Sequence, residues 1–290
     1  MALEELKILE KLLPELPQDA SVVLGPGDDC AVLETSGDTE LLAAVDQLAR
    51  DIHYTADTPP GLAGEKLLKR NLSDIAAMGG TPRWALLTVA AGGRDGRWVL
   101  EFCRGVSRCA AKYRVSVAGG DLAGLKTDTE VATLTILGEV PAGRAIRRSG
   151  ARPGDALYVT GEIGNSFASR HHLTFSPRLE EGVFLRGKAT AMLDISDGLL
   201  LDARRLARAS QADLKLDAAL VPLRAGARLP DALSDGEDYE LLFTAPPELE
   251  TRWDRRLAKL TRIGEVLPGE GRILDTDGNE YNLDRIGYEH

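Results

Sequence analysis

Carboxylates recur where the apolar runs of this chain end, and that placement restricts the fold more than any other feature. Asp28 and Asp29 follow SVVL and a Gly-Pro-Gly turn, Asp46 closes the run LLAAV, and Asp121 follows VSVA and two glycines. Asp194 and Asp197 flank the junction in LDISDGLLLD, and Asp74 lies between Leu72 and Ile75 ahead of Met-Gly-Gly. An ionised carboxylate is rarely left beside a buried apolar segment without a partner, because desolvating the charge is costly. The carboxyl ends of strands are also where open α/β sheets gather their ligands. If several of these aspartates converge, their repulsion must be offset, and with few lysines nearby a hard cation such as Mg²⁺ is the natural counter-ion. Taken singly, each reads first as a turn residue or a cap; Ser196-Asp197-Gly198 would cap a helix beginning at Leu199. The set, rather than any member, points to metal-held phosphate.

The surrounding pattern alternates strands and helices. Apolar spacing predicts helices over 2–14, 60–79 and 98–113, and a strand feeding a helix over 190–210. Short β-branched runs bounded by Gly, Pro or Asp predict strands at 21–29, 30–34, 41–47, 84–91, 131–140 and 239–245 and a strand and turn over 158–165, with further strand-like stretches at 261–266 and 272–274. VSVAGGD (115–121) reads as a strand followed by a turn. The Gly-, Arg- and Pro-rich stretch 141–155 interrupts the alternation and is the candidate boundary between an N-terminal domain, 1–140, and a C-terminal domain, 141–290. The fold class is α/β (α+β), in two halves.

Several chemistries are excluded. The formal net charge of −10 disfavours nucleic acid and anionic membranes as partners. Cys30, Cys103 and Cys109 have neither zinc-site nor disulfide-framework spacing, and the four histidines form no metal-binding pair. No apolar run is long enough to span a membrane, and the acidic N-terminus does not resemble a signal peptide, so the expected compartment is the cytoplasm. The phosphate-binding GxxxxGK[ST] loop, the dinucleotide GxGxxG and the protein-kinase motif set are all absent. A nucleotide site must therefore be built on aspartates and metal, with glycines such as Gly119 and Gly120 letting backbone approach phosphate. Arg147 and Arg148 are as consistent with a solvated linker as with a phosphate contact, and His53 reads first as a packed or surface side chain. His171 and His172 read as loop; Trp84, Trp98 and Trp253 read as core or half-buried packing.

The segments GPGDDCAVL (25–33), VDQLARDIHY (45–54), NLSDIAAMGGTP (71–82), GGDL (119–122), RSGARPGD (148–155), YVTGEIGNS (158–166), LDISDGLLLD (193–202) and GEDYELLF (236–243) occur in an order that resembles the thiamine-monophosphate kinase family. The resemblance spans nearly the whole chain. It implies the two-domain aminoimidazole-ribonucleotide synthetase-like fold, with an N-terminal domain whose strands join a barrel across a homodimer interface. It implies transfer of the γ-phosphate of ATP to thiamine monophosphate, direct and in line, with several Mg²⁺ ions between the nucleotide and the acceptor. Carried over by motif, metal ligands fall on Asp29, Asp46, Asp74, Asp121, Asp194 and Asp197, and nucleotide contacts on Gly120, Asp121, Arg148 and Ser196. Substrate contacts fall on His53, Glu237 and Tyr288, with Asp197 and Arg148 central to catalysis. The chain departs from the family pattern at Ala44-Val45-Asp46 and at Asp121-Leu122-Ala123, where hydroxyls usually accompany the carboxylates. Other ATP-using members of the superfamily, and a non-catalytic metal- or nucleotide-binding relative, are the competing readings.

Overall fold

The plainest period-two pattern, Glu130–Pro141, buries every second side chain and forms the centre of a six-stranded sheet. A computed structural model describes residues 5–93 and 95–282. After helix α1 (Glu5–Leu12) come strands β1 (Val22–Leu24), β2 (Ala31–Glu34) and β3 (Thr39–Ala49), helix α2 (Pro60–Ala77), β4 (Thr81–Ala91), α3 (Gly96–Tyr113), β5 (Ser116–Gly124) and β6 (Glu130–Pro141). The sheet order is β1-β2-β3-β6-β4-β5, with β4 and β5 parallel and the other pairs antiparallel. A second six-stranded sheet takes the rest of the chain. Its elements are β7 (Ala156–Thr160), α4 (His171–Thr174), α5 (Leu179–Leu185), β8 (Ala191–Asp194), α6 (Leu199–Ser210), β9 (Ala212–Leu216), α7 (Leu229–Ser234), β10 (Leu241–Ala245), β11 (Leu260–Pro268) and β12 (Ile273–Leu274), in the order β12-β9-β11-β7-β10-β8. The expected mixed α/β class is what the chain adopts, one sheet on each side of segment 142–155.

Helix α2 is the pivot. Pro60 starts it, where a missing N–H does no harm, and Gly79 follows its end with φ +67°. Leu67, Leu68, Leu72 and Ile75 are buried in the core of the first sheet, whereas Ala76 and Ala77 pack with Tyr158, Met192 and Phe243 of the second. A helix enclosed on every side has no solvent face for its charges, yet Lys66, Lys69 and Arg70 are among its buried residues. Each therefore needs a partner inside the protein.

Two strands differ from the sequence reading. Gly119, Gly120 and Asp121 do not form a turn; they continue β5 alongside β4, where a Cβ on Gly120 would stand 1.7 Å from the Leu87 carbonyl oxygen. Glycine here permits close backbone pairing, not chain reversal. Asp46 does not end its strand either, because β3 runs on to Ala49 in unbroken register with β6. Among the described residues, no helix is long and apolar enough to cross a membrane. One apolar face stands open: Val45 is 62% exposed, with Trp84 and Leu86 exposed on the same side of the sheet, while Leu122, 64% exposed on edge strand β5, pairs with the buried Val89 and points to the other side.

Candidate active site

The seam between the two sheets collects charge. Asp74 comes from α2, Asp194 from the end of β8, and Asp29 from the turn between β1 and β2, and ligand oxygens of the three lie within 4.8 Å of one another. The Asp29 side chain is 1% exposed, and its Oδ2 is buried without a hydrogen-bond partner. Ser73 Oγ donates to Asp194 Oδ2 at 2.5 Å. Burial, reinforced by the neighbouring carboxylates, raises the Asp74 and Asp194 carboxyls well above the usual range. Asp28 is pushed up to about 6 by burial and by Asp29. Arg148 answers part of this negative charge: its Nη2 donates to Asp29 Oδ1 at 2.8 Å, and its backbone N–H donates to Asp28 Oδ2 at 3.0 Å.

Along α2 the four-residue step aligns Lys66, Arg70 and Asp74 on one stripe, so two cations lead toward the carboxylate group. Lys66, with no exposed surface, donates from Nζ to Glu237 Oε2 and to the His53 backbone oxygen, both at 2.5 Å, and lies 2.9 Å from His172 Nδ1. Burial pulls Lys66 down to about 8 against the pull of Glu237. Burial also pushes the Glu237 carboxyl upward, but His172, Lys66 and Arg70 outweigh it and hold the group at about 2. Both partners are thus charged at neutral pH. His53 accepts the Ala49 N–H on Nδ1 at 3.0 Å, which leaves Nε2 as the protonated ring nitrogen.

Glu237 and Tyr239 are held at φ +63° and +53°, a left-handed conformation costing on the order of 1 kcal/mol or more at each non-glycine residue. The Glu237 N–H donates to the Ser196 oxygen at 2.7 Å and the Tyr239 N–H to the Ile195 oxygen at 2.9 Å. These bonds tie the GED segment to the strand end that carries Asp194. The following turn is set by Asp202, whose Oδ2 accepts the N–H groups of Ser196 and Asp197, each at 3.0 Å. Arg205 Nη1 spans Asp197 Oδ2 at 2.5 Å and Asp202 Oδ1 at 2.6 Å. Burial raises Asp202 to about 7 despite Arg205.

Of the predicted residues, Asp29, Asp74 and Asp194 meet, with Arg148 at their edge. Asp46 faces Arg70, Nε to Oδ2 at 3.3 Å, and Asp197 faces Arg205. His53 and Glu237 share Lys66. Gly120 and Asp121 stand on the exposed strand β5, in an open depression of about 540 Å³ lined by Leu87, Cys103 and residues 117–122. Tyr288 lies outside the described residues. Sequence reasoning missed Lys66, Arg70, Ser73, Asp202 and Arg205, and its expectation of few nearby lysines overlooked Lys66, which the enclosure of α2 buries in the seam beside Glu237. The visible signal was the four-residue step Lys66–Arg70–Asp74, which puts two cations and a carboxylate on one stripe of the helix. His172, read as loop, belongs to α4 and is buried against Lys66.

Residues 27–140 match the family described as AIR synthase related protein, N-terminal domain. The thiamine-monophosphate kinase of Escherichia coli K12 is 35% identical over 302 residues, covering 93% of this chain and 92% of that protein. The crystal structure of thiamine monophosphate kinase from Aquifex aeolicus is 29% identical, covers 97% of this chain and 99% of its own, and has a TM-score of 0.81. A structure of AaThiL complexed with AMPPCP and TMP reaches a TM-score of 0.85 at 29% identity, covering 100% of this chain and 99% of its own. With a shared fold and identity sustained along nearly its full length, this chain belongs to the thiamine-monophosphate kinase family.

Proposed function

We propose that this protein phosphorylates thiamine monophosphate to thiamine diphosphate, taking the γ-phosphoryl group of ATP by direct in-line transfer with Mg²⁺ at the seam. The observation that carries the reading is the convergence of Asp29, Asp74 and Asp194 within 4.8 Å. Relatives named for this reaction, and the AaThiL complex with AMPPCP and TMP, support the choice of substrates. The carboxylate oxygens suit a hard divalent cation, and the orphaned, buried Asp29 Oδ2 is an acceptor waiting for one. Asp29, Asp74 and Asp194 would hold it, and when bound it supplies charge neutralisation between nucleotide and acceptor phosphates.

The chain's own residues account for the rest. Arg148, anchored through Asp28 and Asp29, sets a permanent positive charge at the edge of the group, and its buried Nε has no hydrogen-bond partner. That N–H is available to a phosphate oxygen. Ser196 and Asp197, fixed by Asp202, would line the nucleotide side, and Gly120 and Asp121 on β5 complete that side in this reading. His53 and Glu237, locked by Lys66, would receive the acceptor substrate. In the transfer, the bond from the γ-phosphorus to its bridging oxygen breaks as an oxygen of the acceptor phosphate forms the new bond, and ADP leaves. A phosphate monoester has a second pKa of about 6 and is already an anion at neutral pH, so no protein base is required. The work is positioning and electrostatics.

The exposed sheet face with Val45, Trp84 and Leu86 supports a homodimer in which two such sheets close on each other. The decisive assay is incubation with Mg-ATP and thiamine monophosphate: thiamine diphosphate and ADP should appear in equal amounts. Intact ATP binding with no thiamine diphosphate would overturn the proposal.

A further inference from the structure

We propose that Arg70 is a tethered cation that takes the place of a metal ion at Asp46, confining divalent metal to the group formed by Asp29, Asp74 and Asp194. The inference rests on the metal reading of that group and concerns how far it extends. Asp46 projects from mid-strand β3, and the guanidinium that meets it projects from α2, Nε to Oδ2 at 3.3 Å. Arg70 is only 8% exposed. Its Nη1 donates to the Gln47 backbone oxygen at 3.2 Å and lies 4.0 Å from Glu237 Oε1. One fixed positive charge therefore serves two carboxylates, one on the metal side of the seam and one on the acceptor side.

Three physical points favour a guanidinium over an ion at Asp46. Arginine does not deprotonate in proteins, so the charge is permanent. Its planar fork engages the Gln47 carbonyl while lying beside Asp46, which fixes the group in place. The residues before Asp46 are Ala44 and Val45, whose side chains offer no oxygen to a metal, and hard cations need several. An ion brought to Asp46 would also meet the nearby charge of Arg70, a repulsion of several kcal/mol at about 4–5 Å and an effective dielectric near 20. The contact at Asp46 is an ion pair in which Arg70 Nε makes no hydrogen bond, whereas in the Asp29 group it is a carboxylate oxygen, a metal-ligating atom, that is buried without a partner.

The test is a Mn²⁺ titration without nucleotide, counting free Mn²⁺ by electron paramagnetic resonance, with folding of every variant checked by circular dichroism. Asp46→Asn should bind as many ions as the wild type, with the same affinity; loss of an ion in that variant overturns the proposal. Arg70→Met should gain an ion, or bind about tenfold tighter, and Arg70→Met with Asp46→Asn should lose that gain. Arg70→Lys should behave as the wild type. Arg70→Met binding no more Mn²⁺ than the wild type also overturns it. Asp74→Asn tests the underlying metal reading separately, since it should abolish binding whatever Arg70 does. If the wild type binds no Mn²⁺, that reading fails, while an ion gained by Arg70→Met still supports the role given to Arg70.

Discussion

Ser73 on α2 gives its hydroxyl proton to Asp194 Oδ2 at 2.5 Å, joining the helix under the first sheet to the last residue of β8 in the second. This bond favours the ionised, metal-receiving carboxylate and opposes, without outweighing, the upward push of burial and Asp29. Ser73→Ala should lower stability by about 1.5–3 kcal/mol, the scale of a hydrogen bond to a charged group. It should also weaken the apparent affinity for Mg²⁺. Urea denaturation and a Mg²⁺ dependence of turnover measure the two effects, and an unchanged metal dependence would contradict the role of Ser73.

Asp74→Asn should separate stability from activity. The buried carboxylate is repelled by Asp46, Asp194 and Asp29, so removing its charge should raise the metal-free melting free energy by about 1–2 kcal/mol. Phosphoryl transfer should fall by orders of magnitude. Thermal melts in EDTA beside an activity assay check both signs; a destabilised variant would show that the carboxylates do not strain the metal-free fold.

Lys66→Met leaves Glu237 buried without its closest cation. Breaking one side of a buried ion pair costs about 3–5 kcal/mol, and the KM for the acceptor should rise more than that for ATP. Pairing Lys66→Met with Glu237→Gln should recover much of the stability but not the acceptor affinity. A double-mutant cycle provides the numbers.

Acid sensitivity should trace in part to His171. Burial holds its pKa at about 4 in the fold, against 6.5 for the free side chain, so the unfolded chain takes up the proton first. The contribution to stability is complete above pH 6.5 and is lost as pH falls toward 4. His171→Gln, which has no such proton to gain, should show a smaller loss of stability across that window in urea melts at stepped pH. Equal slopes for the two proteins would remove His171 as the cause.

Val45→Asp places a charge on the most exposed apolar side chain of the open sheet face. It should convert the proposed homodimer to monomer in sedimentation equilibrium while the far-ultraviolet circular dichroism stays native. A wild-type protein that is already monomeric would refute the assigned interface.

Local chemistry was sufficient for much of this protein. A β-branched run announced β6, apolar spacing announced α2, and the aspartates pointed to a ligand site because carboxylates beside buried runs need a reason to be there. The ordered motifs led to the family. What the sequence could not show was which charges meet. Asp29, Asp74 and Asp194 are separated by more than a hundred residues from first to last and become neighbours only when α2 is clasped between the two sheets. The same enclosure turns Lys66 and Arg70 from ordinary helix-surface cations into buried partners of Glu237 and Asp46. Gly119-Gly120-Asp121 looked like a turn because glycine permits one, and only pairing with β4 made it a strand. Backbone preference and apolar period act over a few residues and are written locally. Electrostatic pairing depends on distance in space, and that was decided by the tertiary fold.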